Sequence, residues 1–310
     1  QRFFDPIRSL TMQYSVMQRA MVSGQRIFEV LDVPLAISDK PDAVAPQNVE
    51  GSVEFRHVTF GYDRNRPVLH DVSFHVQPGE TVALVGPTGS GKTSITALLH
   101  RFYEVWEGSI LIDGVDVRDY AKEALSRHVS MVLQDPFLFT GTIFENIRYN
   151  KDSASRADVE SAAQTVGAHD FIMRLPDGYD TMLVELGRNL SLGQRQLLSF
   201  ARALVADTRI LILDEATANI DSYTERQIQK ALARLLEGRT GIVIAHRLAT
   251  IRGADRIIVL QDGRIVETGP HDTLIEQNGL YANLYALNYA SFDDMPAALA
   301  RRAADNRSAT

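Results

Sequence analysis

The sequence predicts an α/β fold organised on a parallel sheet. Three observations carry that prediction. Short aliphatic runs, Thr81–Val85, Arg209–Asp214 and Gly241–Ala245, lack polar alternation, as strands buried on both faces do. Two of them end in polar residues (Asp214-Glu215 and His246), at the strand ends where open α/β sheets bind ligands. The first runs into Gly86-Pro-Thr-Gly-Ser-Gly-Lys-Thr-Ser94, which fits G-x-x-x-x-G-K-[ST] and opens a helical run, Ser94–Leu99.

That strand–loop–helix stretch reads as a phosphate-binding loop. Gly86, Gly89 and Gly91 let the backbone curl, so that N–H groups across Thr88 and Ser90 turn inward on an anion. The helix start adds orphan N–H donors and the positive end of its dipole. Lys92 reaches the outer phosphates of a nucleoside triphosphate, and Thr93 offers a hydroxyl to Mg²⁺.

Residues 1–33 read as one amphipathic helix. Phe3, Ile7, Leu10, Tyr14, Met17, Met21, Phe28 and Leu31 follow spacings of four and three, broken only at Gly24. The stripe suits either a partner helix or the helix's own domain. Residues 34–50, polar with Pro34, Pro41 and Pro46, read as a linker. Val53–Phe60 alternates, as a half-solvated antiparallel strand does. A loop, Gly61–Pro67, precedes a second strand, Val68–Val76. Tyr62 on that loop suits either stacking on a base or ordinary packing.

Beyond the loop helix, Gly108–Val117 reads as a hairpin turning at Asp113-Gly114, and 119–127 as a short helix. Val129–Leu133 is a buried strand ending at Gln134. Residues 137–190 read as mostly helical, forming an inserted subdomain. Ser191 then caps a helix over 194–205. Its Oγ and the Gly193 N–H also suit a second anion site, and local sequence does not choose between the two. Asp214 is placed to hold Mg²⁺, and Glu215 to accept the proton of an attacking water. His246 suits either a γ-phosphate donor or a structural histidine. A last hairpin turns at Asp262-Gly263, 271–289 is helical, and 291–310 is a charged, Ala-rich tail.

Composition excludes several alternatives. Net charge is −7, so no global basic field invites nucleic acid. Cysteine is absent, which removes disulfides, thiolate zinc sites and a cysteine nucleophile. No run approaches 18 uninterrupted apolar residues. The chain starts at Gln1 and is expected to be a piece of something longer.

The P-loop, Gln134, Leu190-Ser-Leu-Gly-Gln194, Ile212-Leu-Asp-Glu215 and His246 stand in one order. Together they resemble the nucleotide-binding domain of an ABC transporter over about residues 51–285. Leu138–Ile147 and Val259–His271 are similar to the exporter branch. The resemblance implies a P-loop NTPase (RecA-like) core with an antiparallel β subdomain and a helical subdomain at about 137–205. It also implies that 1–33 is the cytosolic end of a last transmembrane helix, 34–50 a linker and 286–310 a flexible tail.

The resemblance also implies roles. Tyr62 stacks on adenine, and Gly86 through Ser94 hold the phosphates. Gln134 senses the γ-phosphate and Mg²⁺. Asp214 binds Mg²⁺, Glu215 is the catalytic glutamate, and His246 is the switch histidine. Ser191, Gly193, Gln194 and Asp221 act in trans on the ATP of a second nucleotide-binding domain, in a homo- or heterodimer. The remaining implied partner is a transmembrane domain, at the cytoplasmic side of a membrane. Three positions depart from the family pattern: Leu192 replaces a signature glycine, Asn219-Ile220 precede Asp221, and Leu186 follows Glu185 where arginine is usual.

Overall fold

The computed structural model describes residues 3–149, 151–214, 222–245 and 248–288. Contacts divide the chain into two units, 1–38 and 39–310. In the first, α1 (Phe4–Leu31) is a single helix, with Asp5 in its first turn and Pro6 beside it, where proline costs least. Gly24 does not break it, and none of its residues is buried.

The second unit opens with β1 (Val53–Phe60), β2 (Leu69–Val76) and β3 (Thr81–Val85), followed by α2 (Lys92–Leu99). Next come β4 (Glu107–Ile112), β5 (Val115–Asp116), α3 (Lys122–His128) and β6 (Val129–Val132). A mainly helical stretch then runs through β7 (Gly141–Thr142), α4 (Ile143–Arg148), α5 (Arg156–Val166), α6 (His169–Ile172) and β8 (Met182–Leu183). It ends in α7 (Leu192–Ala206). The chain returns to the sheet with β9 (Ile210–Asp214), α8 (Ser222–Leu236), β10 (Thr240–Ile244) and α9 (Leu248–Gly253). It closes with β11 (Arg256–Gln261), β12 (Arg264–Gly269), α10 (His271–Glu276) and α11 (Leu280–Asn288).

The main sheet has the order β12-β11-β3-β10-β9-β6. It is parallel except for β12, which pairs antiparallel with β11. A second sheet, β2-β1-β4-β5, is antiparallel. The aliphatic runs are explained by what lies on either side. Val82, Leu84, Ile212, Ile242 and Ile244 join a core with β1, β2, β4 and α2. Their neighbours Ala83, Val85, Leu211, Leu213 and Val243 join another, with α4, α5, α7 and α8. Successive strand residues point to opposite faces, so two covered faces demand an unbroken apolar run.

Three details depart from the sequence expectation. Within 137–190, Gly141 and Thr142 pair with Leu183 and Met182 as a two-stranded ribbon. Helical structure past 271 breaks into α10 and α11, where Asn278 takes φ +52°. The polar stretch 39–50 is tied down: Val44 bridges Tyr120, and His128 Nε2 donates to the Pro46 carbonyl at 2.8 Å. The Asp113 carboxylate accepts from the Glu50 and Ser52 N–H groups at 2.7 and 2.8 Å.

Candidate functional site

Strand register brings the P-loop, Asp214 and Gln134 to one edge. Leu84 pairs with Ile244, Ile244 with Asp214, and Val132 with Leu213. The P-loop begins two residues past Leu84, and Gln134 lies two past Val132. Asp214 stands at the same level on β9. All leave from the carboxyl ends of adjacent parallel strands, where this architecture binds ligands. Glu215, Asp221 and His246 lie outside the described residues; their neighbours Asp214 and Ala245 are at that edge.

The loop is shaped for close backbone approach. Gly91 caps α2 at φ +101°, and a Cβ there would stand 2.5 Å from Leu69 Cδ2. A Cβ on Gly86 would lie 2.2 Å from the Leu260 carbonyl oxygen. These two positions therefore require glycine on steric grounds. The N–H groups of Lys92, Thr93 and Ser94, in the first turn of α2, have no carbonyl beneath them within the helix. Lys92 is buried and curls back over the loop. Its Nζ donates to the Gly86 and Pro87 carbonyls at 2.8 and 2.9 Å. Burial pushes its pKa below the usual lysine value, and the Asp214 charge opposes that shift. A cation, orphan amides and glycine-permitted curvature fit a polyphosphate.

The residues expected to hold Mg²⁺ offer donors suited to a hard cation. Thr93 presents an exposed hydroxyl, Gln134 an exposed amide and Asp214 a carboxylate. These are oxygen ligands, few in number, as Mg²⁺ uses when it keeps several waters. Among the described residues, no group of three His, Cys, Asp or Glu side chains could hold a metal unaided.

Tyr62 is 55% exposed, and its hydroxyl lies 3.0 Å from Ser94 Oγ at the start of α2. It stands edge-on to Phe60 and to Tyr103, with centroids 5.1 and 5.0 Å apart. Sequence reasoning missed Tyr103, 41 residues away; the aromatic-rich segment after α2 was the available signal.

The second predicted anion site is a helix start with a capping box. Ser191 Oγ accepts from the Gln194 N–H at 3.3 Å, and Gln194 Oε1 accepts from the Ser191 N–H at 2.9 Å. Gly193 has a packing role, because a Cβ there would stand 2.3 Å from Thr224 Cγ2. Leu186 takes φ +60°, and Gly187 beside it takes φ +62°.

The helices α2 and α7 pack on opposite faces of the sheet. Ile95, Leu98 and Leu99 of α2 belong to the core on one face of the sheet. Leu197, Leu198 and Phe200 of α7 belong to the core on the other. Residues 207–209 connect α7 to the start of β9, so α7 runs back over the sheet and its N-terminus points toward the carboxyl edge.

Comparison with known proteins gives a consistent picture. The ABC transporter family matches residues 69–218. The chain is 51% identical over 284 residues to the uncharacterized ABC transporter ATP-binding protein YfiC of Bacillus subtilis (strain 168), covering 92% of this chain and 47% of that protein. It is 44% identical over 286 residues to an ATP-dependent lipid A-core flippase of Syntrophus aciditrophicus (strain SB), covering 92% and 47%. A bacterial Atm1-family ABC exporter with ATP bound superposes with a TM-score of 0.82 at 43% identity, covering 93% of this chain and 50% of that one. The chain thus spans about half the length of the curated relatives it matches. With a P-loop NTPase fold and these relatives, the chain belongs to the ABC transporter family, as its ATP-binding ATPase domain.

Proposed function

We propose that this domain hydrolyses ATP in a head-to-tail dimer and drives export through a membrane part of the full-length protein. The observation that carries the reading is the placement of α2 and α7 on opposite faces of one sheet. On this reading both starts receive an anion, and the nucleotide held by one chain's P-loop meets the Ser191 start of another chain. Two copies packed head to tail supply the missing half. Each ATP then lies between one chain's Gly86–Ser94 and the partner copy's signature helix start. Retention of Ser191 and Gly193 beside the substituted Leu192 supports a competent site.

In this mechanism Tyr62 holds the adenine, and the N–H groups of Gly89 through Ser94 hold the phosphates. Lys92 gives up its loop carbonyls to bind the β- and γ-phosphates. Glu215 orients the attacking water and takes its proton, while His246 and Lys92 hold the γ-phosphate as charge develops. Gln134 and Asp221 complete the contacts from the same and the opposite chain. Thr93, Asp214 and Gln134 would hold Mg²⁺, which would supply charge neutralisation. Loss of the γ-phosphate removes the bridging charge and releases the dimer.

No described helix is long and apolar enough to cross a membrane. The unpaired stripe of α1 supports its reading as the cytosolic end of a membrane helix, with the domain on the cytoplasmic side. The test is Glu215→Gln. It should keep ATP binding, stop phosphate release and trap an ATP-bound dimer on size exclusion. Turnover at the parent rate would refute the assignment.

A further inference from the structure

We propose that Tyr103 is a positioning residue for the nucleotide base, acting by holding the Tyr62 ring at the angle a base requires. The inference rests on the reading of Tyr62 as the base platform. It adds a residue that no motif marks.

Tyr62 sits on a tight loop. The Val68 N–H donates to the Phe60 carbonyl at 2.7 Å, and the Arg66 N–H donates to Asp63 at 2.8 Å. Its neighbour Gly61 has no room for a side chain, because a Cβ would stand 2.7 Å from Trp106 Cη2. The backbone is therefore fixed, but the ring is not. At 55% exposure it keeps its own rotamer freedom unless something walls it in. Two rings do so. Phe60 and Tyr103 present themselves at 80° and 86° to it. Edge-to-face pairs of this kind prefer one relative orientation. The third restraint is the Ser94 hydroxyl at 3.0 Å.

Phe60 is buried in the core, so its place is set by packing. Tyr103 is 46% exposed and is delivered by the segment leaving α2. Arg101 turns that segment at φ +55°, with its buried guanidinium donating to the Tyr120 carbonyl at 3.1 Å. The Trp106 N–H then donates to the Thr59 carbonyl at 2.9 Å. One helix thus presents the phosphate amides at its start and buttresses the base platform from its end.

The experiment is a double-mutant cycle on this chain, read by equilibrium binding of ATP and of inorganic tripolyphosphate. Tyr103→Leu should weaken ATP about two- to tenfold, the range such a ring pair contributes. It should leave tripolyphosphate unchanged, which also shows that the fold and P-loop persist. Tyr103→Phe should restore parent affinity. In a Tyr62→Leu background, Tyr103→Leu should cost nothing further, because its effect passes through Tyr62. Parent-like ATP affinity in Tyr103→Leu while Tyr62→Leu weakens binding overturns this inference alone. Additive losses in the double variant also overturn it. If Tyr62→Leu binds ATP as the parent does, the platform reading itself fails.

Discussion

Replacing Gly193 by alanine separates two reasons for a glycine in the signature. Gly193 is buried at the second position of α7, where an added Cβ would meet Thr224 Cγ2 at 2.3 Å. Carbon atoms prefer about 3.5–4.0 Å, so the contact is short by more than 1 Å. Overpacking of this size costs about 1–3 kcal/mol. Alanine returns about 1 kcal/mol of helix propensity. The net expectation is a loss of about 1 kcal/mol, or about 2–4 °C in Tm for a domain of this size. Urea titration of the nucleotide-free protein measures it. The decisive arm is the Thr224→Ala background, where the obstructing methyl is gone and Gly193→Ala should raise stability instead. A parent-like or stabilised single variant, or the same loss in both backgrounds, would refute the steric argument. ATPase activity in the double variant then tests the other reason. If the bare Cα serves the partner's phosphate, stability returns and hydrolysis does not.

Two further predictions address charge and capping. Ser191→Asp should preserve stability within about 0.5 kcal/mol, because aspartate caps as well as serine, whereas Ser191→Ala should cost about 1 kcal/mol; only the aspartate should abolish dimer-dependent hydrolysis outright, by facing phosphate with like charge, and retained hydrolysis there would remove Ser191 from the site. For Lys92, burial lowers the folded pKa below 10.5, so the unfolded chain binds more protons between the folded pKa and 10.5. Stability of the parent should therefore rise with pH across that window relative to Lys92→Met, and parallel urea midpoints at pH 8 and pH 10.5 would contradict it.

Much of the fold is legible because two-faced burial leaves a strong mark. The β3, β9 and β10 runs are continuous aliphatic stretches since each alternate residue enters a different core. Turns are equally plain: Asp113-Gly114 and Asp262-Gly263 both take positive φ at both positions, as two-residue hairpins demand. The Ser191–Gln194 box is readable from its three-residue spacing. Less legible are features with no period. A ribbon of two residues per strand, β7 with β8, repeats nothing. The stretch 39–50 looks like free linker by composition, yet its order comes from partners elsewhere, the Asp113 carboxylate among them. Gly193 reads as an anion contact from the motif, while its clash with Thr224 depends on how α8 crosses α7.

The candidate site divides along the same line. Residues on strand ends are ordered by register, so the P-loop, Asp214 and Gln134 could be assembled from sequence once the strands were placed in parallel. What register cannot supply is the side of the sheet to which a helix returns. That choice puts α2 and α7 on opposite faces, the placement behind the proposal that the P-loop is one half of a site. A monomer with both helix starts on one face could close on ATP alone and would have no reason to open a neighbour. On the proposed reading, placing them on opposite faces makes closure an intermolecular event. Under the proposed head-to-tail dimer, ATP binding would change how two chains sit together, and that change is what a membrane partner would use.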